Sequence, residues 1–193
     1  GETAHGVREQ VDQCLGQIDQ FREVIEILIK KAAHDELDGS QLIQMNDVFE
    51  ESLALLHHNL FFKHQVKVIK KYSSSLPPLR ASYPDLSLGI WNILQNAIEA
   101  MENSPSKVLT VGTETDGNQI RLTVQDTGCG IPEEIQNRLF EPFFSTKMGK
   151  HSGMGLFLTQ RLLQPYGASF ELLSREGETV FTVYLPTSVG RGN

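Results

Sequence analysis

From Val7 onward the apolar residues recur in alternating steps of four and three, at Val7, Val11, Cys14, Ile18, Phe21, Ile25, Leu28 and Ala32. This is the a/d repeat of a coiled coil or helical hairpin, and it predicts a helix of roughly 40 Å at a rise of about 1.5 Å per residue. A helix cannot bury such a stripe by itself, so the stripe must lie against another helix, another protomer or the body of the domain. Asp38-Gly39-Ser40 supplies a C-terminal glycine and a turn, which divides a helical segment (residues 1–38) from a body (39–186) and a short flexible tail (187–193).

A second helix is predicted from Asp47, where Asp47 and Glu50 have capping-box spacing, to about Phe62, with Val48, Phe49, Leu53, Leu56 and Leu60 on one face. Gln65 to Tyr72 alternates and reads as a half-exposed strand, followed by a link rich in Ser and Pro from Ser73 to Pro78. Pro84 suits the first turn of a further helix whose apolar side carries Ile90, Leu94, Ala97, Ile98 and Met101. Its other side is a narrow stripe of Asn92, Asn96, Glu99 and Asn103. Asn in a helix interior costs up to ~0.7 kcal/mol relative to Ala, so two of them one turn apart need a reason beyond solvation. Neutral amide oxygens suit a hard cation already held by phosphates, because Mg²⁺ takes oxygen ligands and keeps several waters. The stripe points to a magnesium-nucleotide site.

Two hairpins follow. Strands Val108–Thr113 and Ile120–Gln125 turn at Asp116-Gly117-Asn118, and strands Phe170–Ser174 and Thr179–Leu185 turn at Glu176-Gly177. The stretch between them is rich in Gly, Phe and Lys, with short helices expected from Pro132 and from Leu156. Asp126-Thr127-Gly128-Cys129-Gly130-Ile131-Pro132 continues the second strand: its glycines allow a sharp turn and a close backbone approach, and its Asp can accept from an exocyclic amine. Phe140-Glu141-Pro142-Phe143-Phe144-Ser145-Thr146-Lys147 comes next. Gly149-Lys150-His151-Ser152-Gly153-Met154-Gly155-Leu156 then runs into a helix start, where backbone N–H groups and the helix dipole favour an anion. A glycine-rich lid over Met148 to Ser152, ordered only when phosphates engage it, is the expected form.

Composition narrows the function. The 193 residues are 39 % hydrophobic, enough for a core, and the net charge of −7 argues against non-specific binding to nucleic acid or anionic membrane. Cys14 and Cys129 are far apart without a Cys-x-x-Cys pair, so neither a zinc site nor a disulfide framework is indicated, and a reducing cytoplasm fits. No apolar run approaches the ~20 residues of a membrane span.

Asn92-x-x-x-Asn96-Ala97, Asp126-x-Gly128-x-Gly130-Ile131-Pro132, Phe140-Glu141-Pro142-Phe143, Thr146-Lys147 and Gly153-Met154-Gly155-Leu156, in this order, resemble the N, G1, F and G2 boxes of the sensor histidine kinase catalytic domain. Thr179 to Pro186 is similar to that family's closing strand, and Leu15 to Leu28 resembles the second helix of its dimerisation and phosphotransfer hairpin. The resemblance implies a Bergerat-type α/β sandwich, with a mixed, mostly antiparallel sheet, helices on one face and ATP beneath a mobile lid. Asn96 would be the principal Mg²⁺ ligand and Asn92 a second polar group near metal and phosphates. Asp126 would accept from the adenine N6 amine, Gly128 and Gly130 would shape the base pocket with Thr179 near the base, and Ile131 and Phe144 would be further nucleotide-binding residues. Lys147 and Lys150 would neutralise phosphate charge beside Gly153, Met154, Gly155 and Leu156.

The chain departs from the family pattern at Glu99, where many members have Lys, and at His151 and Ser152, which replace Gly and Thr. No phosphoacceptor box precedes the second hairpin helix, and His34 sits at that helix's far end, so the acceptor histidine is expected on a helix outside this chain. The expected activity is transfer of the ATP γ-phosphoryl group to that histidine, with a response-regulator receiver domain as partner and a homodimer through residues 7–32. Two alternatives are a non-catalytic nucleotide-binding signalling module and a conformational ATPase of the same superfamily. The latter places a Glu base where this chain has Asn92, and an amide cannot take a proton from water at neutral pH.

Overall fold

The computed structural model describes residues 40–145 and 152–187. The heptad helix, His34, Lys147, Lys150, His151 and residues 188–193 lie outside the described residues. The body begins with β1 (Gln41–Ile43), α1 (Met45–Leu56), α2 (Leu60–Gln65), β2 (Lys67–Tyr72) and β3 (Leu79–Ala81). It continues through α3 (Tyr83–Ala100), β4 (Val108–Thr115), β5 (Gln119–Asp126) and α4 (Glu133–Gln136). It closes with α5 (Gly155–Leu163), a 3₁₀ turn (Gln164–Tyr166), β6 (Ser169–Arg175) and β7 (Glu178–Pro186).

The main sheet has five strands in the order β2-β4-β5-β7-β6. Only β2 and β4 run parallel, since the connection between them crosses over through β3 and α3, whereas the other neighbours are antiparallel. Strands β1 and β3 form a separate antiparallel pair. Alternation decides which face is covered: Leu109, Val111, Ile120, Leu122, Val124, Phe181, Val183 and Leu185 are buried in the core with Val48, Phe49, Leu53, Ile90, Leu94 and Leu163 of the helices. Glu114, Arg121, Glu171 and Leu173 lie on the exposed face. The expected mixed, mostly antiparallel α/β sandwich is the observed fold. Among the described residues no helix is long and apolar enough to cross a membrane.

Several boundaries differ from the sequence pattern. The helix expected from Asp47 to Phe62 is two helices, broken at His57–Asn59. Asn59 Oδ1 accepts from Phe62 N at 3.1 Å, capping α2 and turning it so that Phe62 is buried while Leu60 is 72 % exposed. No capping box forms at Asp47: the helix starts two residues earlier with Gln44 as N-cap, and Glu50 accepts from Lys70 Nζ at 2.7 Å. Gln65 ends α2, so the strand starts at Lys67. The link after Tyr72 is pinned at Ser73, whose N–H donates to Thr113 Oγ1 at 3.1 Å and whose carbonyl accepts from Asn46 Nδ2 at 3.0 Å. It then leads into β3, which the Ser- and Pro-rich composition concealed.

Helix α3 is fixed at both ends and along its length. Pro84 lies in its first turn, as expected. Tyr166, in the turn after α5, donates its hydroxyl to Asp85 Oδ2 at 2.6 Å and accepts from Ser82 N at 3.1 Å. Farther along, a Cβ on Gly89 would stand 3.3 Å from Leu163, so α3 and α5 pack closely there. Burial, then the bond to Asp85, push the Tyr166 phenol up to about 12 from 10.0. The folded phenol therefore resists an ionisation that the unfolded chain undergoes. Its stabilisation is complete below the unfolded value and fades as pH rises through the folded one. Tyr166→Phe is expected to cost about 1 kcal/mol, roughly 2 to 4 °C in Tm, near neutral pH. Thermal melts should show the gap to wild type narrowing between pH 10 and 12, and a gap unchanged at about pH 11 would remove Tyr166 as the titrating group.

Candidate functional site

Strand β5 ends at Asp126, which is 4 % exposed and lies opposite Thr179 of β7 in the antiparallel register. Its Oδ1 accepts from Gly128 N at 2.8 Å, which holds the carboxylate at the strand end. The chain then passes between α3 and the β6–β7 turn with no room for a Cβ at Gly128 or Gly130. A Cβ on Gly128 would meet Ala100 Cβ at 2.6 Å, and one on Gly130, at φ +74°, would meet Arg175 O at 2.3 Å. Cys129 N donates to Ala100 O at 3.1 Å, fastening the loop to the end of α3. Ile131 N donates to Ser174 Oγ at 2.9 Å, and the Ser174 and Thr179 hydroxyls are 2.9 Å apart. Ser174 was missed in the sequence, yet the signal was there: it is the polar member of the inward row Phe170, Leu172, Ser174 on β6.

On α3 the pocket side carries Trp91, Asn92, Gln95, Asn96 and Glu99. Trp91 and Gln95 were also missed, although they precede Glu99 at successive four-residue steps. Asn103 does not join the stripe: α3 ends at Ala100 and Asn103 is exposed beyond it. Asn92 Nδ2 donates to Gly155 O at 3.1 Å and to Thr159 Oγ1 at 3.3 Å, tying α3 to the start of α5. Asn96, one turn on, is exposed toward solvent.

The phenylalanine-rich segment has divided roles. Phe140 packs on Phe170 and Phe181, with ring centres 5.3 and 6.2 Å away, and so closes the core. Phe144 faces the pocket with the Arg138 guanidinium 4.3 Å from its ring centre. Phe143 is 74 % exposed. The backbone of Phe143 and Phe144 leaves no space for a Cβ on Gly153, which closes this segment onto the entrance to α5.

These elements enclose one pocket of about 660 Å³. Asn92, Asn96, Asp126, Gly130, Ile131, Phe144, Gly153, Met154, Gly155, Leu156 and Thr179, all singled out in the sequence, line it. Gly128 stands behind Asp126 rather than in the wall. Lys147 and Lys150 lie outside the described residues, and the described lining contains no Lys or Arg. The pocket is polar at two places, around Asp126 and Thr179 and along Asn92, Asn96 and Glu99, and apolar between them at Ile93, Ala97, Ile131 and Phe181.

Fold and pocket together define an α/β sandwich with a ligand cleft between its main helix and the ends of its strands. Residues 82–189 match the family described as histidine kinase-, DNA gyrase B-, and HSP90-like ATPase, and the chain belongs to that family. Its relatives place it among histidine kinase ATP-binding catalytic domains. It is 29 % identical over 182 residues to the signal transduction histidine-protein kinase AtoS of Escherichia coli, covering 93 % of this chain and 29 % of AtoS. It is 28 % identical over 188 residues to the sensory histidine kinase/phosphatase NtrB of Escherichia coli, covering 92 % of this chain and 52 % of NtrB. The chain thus spans about a third to a half of these relatives. Among solved structures, the catalytic domain of histidine kinase ThkA superposes with a TM-score of 0.67 at 23 % identity, over 77 % of this chain and 95 % of that one. The Acinetobacter baumannii histidine kinase AdeS superposes with a TM-score of 0.69 at 17 % identity, over 91 % and 82 % of the two chains.

If Asp126 accepts from a base amine, Asp126→Ala is expected to weaken ATP binding roughly 10- to 150-fold, since a hydrogen bond to a charged acceptor contributes about 1.5 to 3 kcal/mol. GTP, with a carbonyl in place of the amine, should bind poorly to wild type. Calorimetry giving equal ATP affinities for mutant and wild type would remove Asp126 from the base site.

Proposed function

We propose that this chain is the ATP-binding catalytic unit of a two-component sensor kinase, which transfers the γ-phosphoryl group of ATP to a histidine. The observation that carries the reading is a single pocket joining a buried carboxylate to a helix face of neutral amides, with the start of α5 between them. Asp126 and Thr179 take the adenine, and Ile93, Ala97, Ile131 and Phe181 give the base an apolar bed. The first N–H groups of α5 face the phosphates, with Lys147 and Lys150 as the cations the described wall lacks.

The donor set also fits magnesium. Asn96, Asn92 and Glu99 offer oxygens from successive turns of α3, and the Asn92 amide nitrogen is already committed to α5. Among the described residues no group of three or more His, Cys, Asp and Glu could hold a metal by itself. This donor set suits a hard cation that arrives with phosphates rather than a resident ion. When bound, the metal would neutralise phosphate charge; the chain's own part is to position ATP and exclude water from it. In the transfer the bond between the γ-phosphorus and the ADP oxygen breaks, a phosphorus–nitrogen bond to the imidazole forms, and the imidazole loses its proton. Such chemistry needs positioning and charge stabilisation more than covalent help from the protein. Asn92 favours this reading over a water-activating ATPase, because an amide is no general base. A receiver domain as the next phosphoryl acceptor and a second copy paired through residues 7–32 complete the proposal.

Asn96→Ala is expected to abolish the Mg²⁺ dependence of ATP binding while adenosine, which has no phosphates to bridge, binds as before. Calorimetry that finds the dependence intact would return Asn96 to an ordinary solvated face. Transfer is tested by incubating the intact protein carrying this domain with γ-labelled ATP. Acid-labile, base-stable label is expected in wild type and not in Asn96→Ala, and label indifferent to that substitution would overturn the assignment.

A further inference from the structure

One buried hydroxyl reaches the pocket only through another side chain. Thr159 lies on α5 with no exposed surface, beside the buried Leu162 and Leu163. Its Oγ1 donates to Gly155 O at 2.9 Å, has Gly89 O at 3.4 Å, and accepts from Asn92 Nδ2 at 3.3 Å. The same Nδ2 donates to Gly155 O at 3.1 Å. A helical Thr that bonds back to the carbonyl four residues earlier is common. Here an amide from the facing helix shares the pair.

An Asn amide carries two N–H protons and an oxygen that only accepts. Gly155 O and Thr159 Oγ1 are only 2.9 Å apart, so they lie on the same side of Asn92 Nδ2 and share one of its N–H protons in a three-centre bond. The Gly155 carbonyl also only accepts, so the reversed amide would set oxygen against oxygen. Nδ2 must therefore face α5, and Oδ1 is the end that Asn92 presents to the pocket. Gly155 alone would hold one N–H and leave the amide plane free to swing about that bond. Thr159 supplies the second point that fixes the plane.

We infer that Thr159 is a positioning residue for the metal and phosphate end of the pocket, locking Asn92 so that Oδ1 is held ready for a hydrated cation. The inference rests on the nucleotide reading proposed above. Thr159 touches neither nucleotide nor metal, and it acts by removing a freedom that Asn92 would otherwise lose on binding. Its hydroxyl is therefore coupled to magnesium-dependent affinity and not to the base.

The test is calorimetry of a non-hydrolysable ATP analogue, with and without Mg²⁺, on wild type, Thr159→Val and Thr159→Ser. Val keeps the shape and removes the hydroxyl. It is expected to lose about five- to tenfold in affinity with Mg²⁺ present while metal-free and adenosine affinities stay within about twofold. Thr159→Ser should behave as wild type. In nitrogen-15 NMR spectra the two Asn92 side-chain N–H resonances should separate less in the Val variant, as the shared proton loses one of its two acceptors. An undiminished magnesium effect in Thr159→Val, an equal loss with and without Mg²⁺, or a Ser variant that behaves like Val would each overturn the inference. Should Val fail to fold, Thr159→Ala against Thr159→Ser decides by the same ratio. Wild type that binds no nucleotide would overturn the kinase reading, whereas magnesium-dependent wild type with an unchanged Val variant overturns only the part given to Thr159.

Discussion

The burial of one side of α3 is the constraint on which the other parts depend. Leu86, Ile90, Leu94, Ile98 and Met101 are at most 2 % exposed. Burying each side chain of that size contributes about 1.5 to 3 kcal/mol, against a propensity cost for Asn of no more than ~0.7 kcal/mol. The apolar side thus outweighs a polar side that would not hold a helix by itself. The sheet beneath and α5 beside it fix the rotation of α3 about its axis. With that rotation set, Asn92 faces the start of α5 and Asn96 the open side of the cleft.

The second constraint is steric and lies at the other end of the pocket. The loop after β5 is squeezed between Ala100 and the backbone of Arg175, with room for hydrogen atoms only at Gly128 and Gly130. Its N–H groups at Gly128, Cys129 and Ile131 are all taken, by Asp126, Ala100 and Ser174. Nothing in this stretch can slide without breaking several of these contacts together. Asp126 and Thr179 therefore sit in a pre-formed corner, and order at this end of the pocket does not wait for a ligand.

Most of the fold could be read in the chain, because long periodic segments declare themselves. The polar stripe gave away α3, and the two hairpins were marked by Asp116-Gly117 and Glu176-Gly177. Where reading failed, a local bond or a tertiary contact decided the outcome. Asn59 broke a continuous helical pattern with one cap, and β3 exists only because β1 lies beside it. Within the site, Asn92, Asn96 and Asp126 were legible as unusual residues in regular elements. Thr159 was not, and Ser174 showed only as the polar member of an inward row, since a hydroxyl reveals its purpose only when its partner is known. The register that pairs Asp126 with Thr179, and the helix crossing that brings Asn92 to Thr159, are set by packing across distant parts of the sequence.

Charge links the two ends of the pocket. The described wall offers Asp126 and Glu99 and no cation, in a chain whose net charge is −7. On the nucleotide reading, a triphosphate needs a counter-charge that the described wall does not supply, since like charges about 4 Å apart repel by about 4 kcal/mol at an effective dielectric of 20. A divalent ion held by the amide oxygens of α3 would supply part of that counter-charge. The orientation of Asn92 then bears on the cation-dependent share of the affinity, and the corner at Asp126 and Thr179 on the share that needs no cation.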